Sequence, residues 1–287
     1  MKAGMIAIGL ISACAGFGQD GTVFRVQTRL VEVYATVKSH NGRYLDGLPQ
    51  DRFEVKDNGQ LQSVVAFESN AAELSCAILL DTTGSMAAAL PVVKSSVMRM
   101  IDELAPDDNI AVYSFSMGLN RLQEFTTDKA AAKQAVLRGR AAGQTALFDA
   151  ISELAREIEP RTGKKAIVVF TDGADNASLL NARSAVQRAK KSGVPVYAVA
   201  EGDALKSKPL LSEIREIADA TGAKFHEAHK PSDINAIFQD ISGDLGHTYL
   251  LAYKPPPSMD QKWRTIELAV SGLKDVKVRA KEGYLPE

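Results

Sequence analysis

The sequence predicts an α/β fold: a doubly wound, mostly parallel sheet flanked by helices, inserted in a small all-β sandwich built from the N- and C-terminal segments. Three observations carry this expectation. Residues 76–80 and 166–170 are continuous apolar runs, the texture of strands covered on both faces. Between about 73 and 246 such runs alternate with stretches whose apolar residues recur at helical spacing, which implies crossover units. On either side of that region the apolar spacing falls to two, as in half-buried antiparallel strands.

The first 18 residues read as a signal peptide. Lys2 is their only charge, and a small or apolar stretch to Ala15 follows, too short for the ~20 residues that span a bilayer. Ala13-Cys14-Ala15 offers one cleavage site and Gly18 another. A second reading takes Ile11-Ser12-Ala13-Cys14 as a lipobox, with a lipid anchor at Cys14. Both readings place the mature chain outside the cytoplasm, in a bacterial periplasm, outer envelope or exterior, with no transmembrane span once the signal is removed.

Residues 19–72 carry the first β pattern. Val31, Val33, Ala35 and Val37 alternate with Glu32, Tyr34, Thr36 and Lys38, while Asn41-Gly42 and Asn58-Gly59 mark turns. Residues 73–246 then give buried strands at 76–80, 110–115, 166–170, 194–200 and 223–226. Helices are expected at 87–104, 130–137, 147–158, 181–192, 209–220 and 232–245. Residues 247–287 return to period two, with Ile266, Leu268 and Val270, then Val276, Val278 and Ala280, beyond the rigid Pro255-Pro256-Pro257. Each terminal segment alone is too small for a stable core, so the two are expected to complete one sandwich.

Composition removes several function classes. With 34 Lys+Arg against 35 Asp+Glu among 287 residues, there is no basic excess to neutralise nucleic-acid phosphates. Two cysteines support neither a disulfide framework nor a zinc site, and Cys76 reads as a buried, inert thiol. No Gly-x-x-x-x-Gly-Lys-[Ser/Thr] loop is present. His226 and His229 read as solvent-exposed rather than as half of a zinc site.

The chemistry concentrates at three places. One buried strand runs into Asp81-Thr82-Thr83-Gly84-Ser85 and a later one into Thr171-Asp172-Gly173, while Gly143-Gln144-Thr145 opens a helix between them. In an open parallel sheet, ligands bind beyond the carboxyl ends of the strands. Two carboxylates and three hydroxyls there, with no His or Cys, suit a hard divalent cation: Mg²⁺ first, with Mn²⁺ or Ca²⁺ as alternatives. Asp149 reads as a first-turn helix acid, and Asp175 and Asn176 as loop residues or supports to that centre.

Asp81-x-Thr83-x-Ser85, Thr145 and Thr171-Asp172-Gly173 together resemble the metal-ion-dependent adhesion site of von Willebrand factor type A domains. The resemblance spans about 73–246, with Thr83 standing where the family pattern has Ser. Lys281-Glu282-Gly283-Tyr284 and the terminal β segments resemble those of secreted bacterial proteins of that kind. The resemblance implies metal ligands Asp81, Thr83, Ser85, Thr145 and Asp172. It also implies a protein-binding adhesion or scaffold module, not an enzyme, whose partner presents Asp or Glu to the cation. Two alternatives stand beside it. Asp81-Thr82-Thr83-Gly84-Ser85 also resembles the Asp-Lys-Thr-Gly-Thr stretch of P-type ATPases, which would make Asp81 the nucleophile of a Mg²⁺-dependent phosphatase of haloacid dehalogenase type. Against it, Thr82 replaces the Lys and Thr83 the second Asp of soluble relatives. In the third reading the site is vestigial and the protein is a scaffold.

Overall fold

The computed structural model describes residues 30–69, 72–172, 175–257 and 262–286. The expected signal peptide 1–18, with Cys14 and both cleavage sites, lies outside the described residues.

Four strands come first: β1 (Val31–Ser39), β2 (Phe53–Asp57), β3 (Gln60–Gln62) and β4 (Val64–Glu68). Asn58 and Gly59, at φ 46° and 77°, make the tight β2–β3 turn that their dipeptide signals. The alternating region then reads β5 (Leu74–Asp81), α1 (Leu90–Glu103), β6 (Asn109–Phe115), β7 (Leu119–Thr126), α2 (Lys129–Arg138) and α3 (Leu147–Ile158). It continues with β8 (Lys164–Thr171), α4 (Ala182–Ser192), β9 (Val196–Glu201), α5 (Lys208–Ala220), β10 (Phe225–Ala228) and α6 (Pro231–Gly246). The last strands are β11 (Tyr249–Tyr253), β12 (Arg264–Val270), β13 (Val276–Ala280) and β14 (Gly283–Tyr284).

The central sheet has the order β10-β9-β8-β5-β6-β7, parallel except for the edge strand β7. Each of β5, β8 and β9 is buried along its whole length because helices cover both faces. Alternate residues explain how: Ile78, Leu80 and Phe170 pack with α1, α2 and α6, while Ala77, Leu79 and Val169 pack with α3, α4 and α5. At ~1.5–3 kcal/mol for each large apolar side chain removed from water, these two layers are the main stabilising term. Cys76 lies in the first layer, fully buried, and burial pushes its thiol up to about 12.

Helix ends follow their local chemistry. Asp128 caps α2 by accepting from the amides of Ala130 and Ala131. Asn181 caps α4, which closes on Lys190-Lys191 and a left-handed Gly193. The strand β7 was not expected from the sequence.

The terminal segments interleave into two antiparallel sheets, β13-β1-β11-β4 and β14-β12-β2-β3, which close over a shared core including Val33, Val55, Tyr249, Leu251 and Tyr253. The expected half-buried pattern of β1 holds only in part. Tyr34 and Thr36 are buried too, and the Tyr34 hydroxyl reaches the Gly163 carbonyl at 3.2 Å at the amino edge of the central sheet. The outer face of β1 is therefore covered by the α/β region. A polar clamp joins the two parts as well: buried Asp244 on α6 accepts from the Tyr44 hydroxyl at 2.5 Å and pairs with Lys224 at 2.8 Å. His226 is half-buried against Asp240, at 3.6 Å, rather than solvent-exposed as expected.

Gly222 sits at this junction with φ +81°, and a Cβ there would lie 2.5 Å from the Lys281 amide nitrogen. Gly42 has the same φ with nothing within 4 Å. Gly222→Ala is therefore expected to lower stability by about 2–4 kcal/mol and Gly42→Ala by about 1 kcal/mol. Urea midpoints of the two variants measure the difference, which reports the contact between the sandwich and the α/β region.

Candidate functional site

The carboxyl ends of β5, β8 and β9 converge on one edge of the sheet. Register explains the meeting: Leu80 pairs with Phe170, and Thr171 with Ala200, so Asp81, Asp172 and Glu201 all fall where the ladder ends.

Asp81 is fully buried. Its Oδ1 accepts from the Thr83 amide at 2.9 Å, and its Oδ2 from the Thr171 hydroxyl at 2.6 Å. The Thr83 hydroxyl lies 3.1 Å from that of Ser85, and the Ser85 hydroxyl donates to Asp172 Oδ1 at 2.8 Å. A continuous polar run thus links Asp81, Thr83, Ser85 and Asp172, four of the five residues expected from the sequence. Neither Asp81 nor Ser85 caps a helix. The turn Gly84–Ala87 has no side-chain cap, and α1 begins only at Leu90.

Thr145 is buried, but its hydroxyl takes no part in this run. Its loop is held beside the others through the backbone. The Gly84 amide donates to the Gly143 carbonyl at 3.1 Å, and the Ala142 amide to the Thr82 carbonyl at 2.8 Å. Gly143, at φ +86°, supplies the left-handed turn that brings this loop under Ser116.

The segment after Asp172 secures the Thr145 loop, with Gly173 of the expected Thr-Asp-Gly turn outside the described residues. Asn176 Oδ1 accepts from the Thr145 amide at 2.9 Å, and the Thr145 carbonyl accepts from the amides of Asn176 and Ala177. Asp175 Oδ2 accepts from the Phe148 amide at 2.9 Å and so caps α3 from a distant loop. Asp149, in the first turn of α3, accepts from the amides of Leu179 and Leu180 at 2.7 and 3.0 Å. Asp175, Asn176 and Asp149 are thus mutual supports between two loops.

Burial raises the Asp81 carboxyl above its ordinary range, and repulsion from Asp172 adds to the rise. Burial raises Asp172 likewise. Glu201, which the sequence reading missed, is 8% exposed and is pushed up to about 7, by burial first and by Asp172 second. Only the fold reveals it, because a single acid ending an apolar strand carries no spacing signal.

The donors fit a hard cation. They are all oxygen, and two of the carboxylates face hydroxyls rather than lysine or arginine. Among the described residues, no group of three or more His, Cys, Asp or Glu side chains is gathered to hold a metal. The hydroxyls would therefore have to complete the coordination.

Comparison with known proteins gives a family. The model of the von Willebrand factor type A domain matches residues 76–240. No curated protein sequence matches the chain. A von Willebrand factor type A protein from Catenulispora acidiphila shares the fold at a TM-score of 0.54 and 15% identity, over 91% of this chain and 75% of that one. The corresponding domain of the type V pili tip protein Mfa5 from Porphyromonas gingivalis gives 0.50 and 14%, over 67% and 99%. Proximal thread matrix protein 1 from the mussel byssus, in a form with zinc in its metal-ion-dependent adhesion site, gives 0.53 and 22%, over 65% and 49%. These low identities speak for the fold, whereas the family match covers more than half of the sequence. The chain belongs to the von Willebrand factor type A family.

Proposed function

We propose that this protein is a binding module that uses a divalent cation to grip an acidic group of a protein partner. The ion is held by Asp81, Thr83, Ser85, Thr145 and Asp172. The observation that carries this reading is the run from Asp81 through Thr83 and Ser85 to Asp172, which presents hydroxyls and carboxylates at one sheet edge. Buried carboxylates with raised proton affinity and, among the described residues, no basic partner are what a cation would relieve.

Asp81 and Asp172 anchor the ion's charge, directly or through water, and Thr83 and Ser85 offer hydroxyl oxygens. Thr145 adds another from a loop that Asn176 positions. When bound, the cation supplies a Lewis-acidic position to an outside carboxylate. Mg²⁺ is the favoured ion, with Mn²⁺ or Ca²⁺ as alternatives, because hard oxygen donors suit all three.

Export to a bacterial envelope or exterior fits the expected signal peptide, and among the described residues no helix is long and apolar enough to cross a membrane. A phosphatase would place different demands on Asp81. An attacking Asp81 would need an open approach, yet the side chain is fully buried and both its oxygens are engaged.

Pull-downs from a bacterial envelope fraction test the proposal. A specific partner is expected to be retained with Mg²⁺, released by EDTA, and lost in Asp81→Ala. Retention of that partner in EDTA and by Asp81→Ala would contradict it.

A further inference from the structure

Glu201 is the last residue of β9, after an otherwise apolar run of Val196, Ala198, Val199 and Ala200 with Tyr197 among them. Only 8% of it is exposed, and its Oε1 accepts no hydrogen bond from the described residues. Such an oxygen is costly: a buried carboxylate oxygen without a donor loses its hydration for nothing in return. A structural role for Oε1 would show itself as a partner, such as a helix amide, a lysine or a hydroxyl, and among the described residues it has none.

The fold nevertheless fixes where this carboxylate stands. Thr171 pairs with Ala200, so Glu201 follows the ladder beside Asp172. The turn after it is bound to the same place, since the Ala204 amide donates to the Asp172 carbonyl at 2.8 Å. Gly202, at φ +56°, brings the chain so close that a Cβ there would stand 3.4 Å from the Asp172 Cβ. Asp172 in turn accepts from Ser85 at 2.8 Å. The Glu201 carboxyl therefore stands close enough to feel the charge of Asp172, at the β9 side of the run of Asp81, Thr83, Ser85 and Asp172.

Resting on the cation reading above, we propose that Glu201 is a third carboxylate of that centre, acting from one layer out by accepting a hydrogen bond from a water on the ion. Direct ligation does not suit the arrangement, because Glu201, Asp81 and Asp172 do not gather into a three-acid cage. A water in between does. It has protons to give to an acceptor that lacks a donor, and it needs no rearrangement of β9. Partners that orient an ion's inner ligands in this way contribute strongly to affinity. The arrangement also favours an ion that keeps its waters, as Mg²⁺ does more readily than Ca²⁺.

Calorimetric titration of the full chain with Mg²⁺ alone tests this, using wild type, Glu201→Gln, Glu201→Val and Asp81→Ala. Wild type is expected to bind, Asp81→Ala not to bind, and both Glu201 variants to bind about 10–100-fold more weakly. Thermal unfolding in EDTA separates this role from a structural one. Both Glu201 variants should melt at or above the wild-type temperature, because an uncompensated buried carboxylate has been removed. Mg²⁺ affinity within about twofold of wild type in both variants would overturn the role of Glu201 and leave the cation centre standing. So would a fall of several degrees in both melting temperatures in EDTA. Failure of wild type itself to bind Mg²⁺ would overturn the cation reading, and this inference with it.

Discussion

Asp57→Ala will lower the stability of the protein by about 3–5 kcal/mol, the range for breaking a buried charged pair by removing one partner. Asp57 closes β2 and is fully buried. It accepts from Arg264 Nε at 2.6 Å, the Tyr284 hydroxyl at 2.8 Å and the Tyr253 hydroxyl at 3.0 Å. Those donors come from β12, β14 and β11, so one carboxylate from the N-terminal segment gathers three strands of the C-terminal one. Alanine leaves a guanidinium and two hydroxyls without their shared acceptor, and each loses a charge-assisted bond. Asn at the same position keeps the shape and one acceptor, and should cost less than Ala. Urea denaturation measures both. A loss below about 1 kcal/mol for Asp57→Ala would mean that the two ends of the chain are not held together at this point.

The second large effect concerns pH at the cation centre. In the chelated protein, Asp81, Asp172 and Glu201 all keep their protons to higher pH than they would unfolded. Between the ordinary carboxylate range and about 7, folding therefore takes up protons, and stability falls as pH rises. For Glu201 the rise from 4.5 to about 7 corresponds to on the order of 3 kcal/mol at its fullest. In EDTA, wild type should lose stability from pH 5 to pH 7.5 more steeply than Glu201→Gln does. Parallel profiles would show that the carboxyl is not held protonated. Added cation should reverse the trend, since it binds the ionised carboxylates that the protons would otherwise occupy.

The buried strands were legible in the sequence because two-sided burial demands unbroken apolar runs, as in β5 and β8. The helices were legible from their spacing, whereas the caps at Asp128, Asn181 and Gly193 come from the structure. The strand β7 was not. Its apolar residues Leu119, Leu122 and Phe125 stand three apart, and its pairing with β6 shifts register twice, which spoils the alternation a strand would show. Burial of Tyr34 and Thr36 was equally hidden, because it depends on what packs outside β1 and not on β1 itself.

At the site, Asp81, Thr83, Ser85 and Asp172 were readable from local motifs, since Asp81 ends a buried strand, Thr83 and Ser85 follow it within four residues, and Asp172 comes directly after another. Glu201 was not, because its meaning comes from the register of β9 against β8. The supporting acids Asp149 and Asp175 were visible as residues, but their hydrogen bonds cross between loops about 30 positions apart in sequence.

The central claim, that a divalent cation is held at this sheet edge, is tested most directly by thermal unfolding over a Mg²⁺ titration in wild type and Asp81→Ala. A ligand that binds only the folded state stabilises it by about 2.7 kcal/mol at a hundred times its dissociation constant. With the cation held there, the melting temperature climbs with Mg²⁺ in wild type and stays flat in Asp81→Ala. A wild-type melting temperature unmoved by Mg²⁺, Mn²⁺ and Ca²⁺ would contradict it and leave a scaffold whose metal site is vestigial.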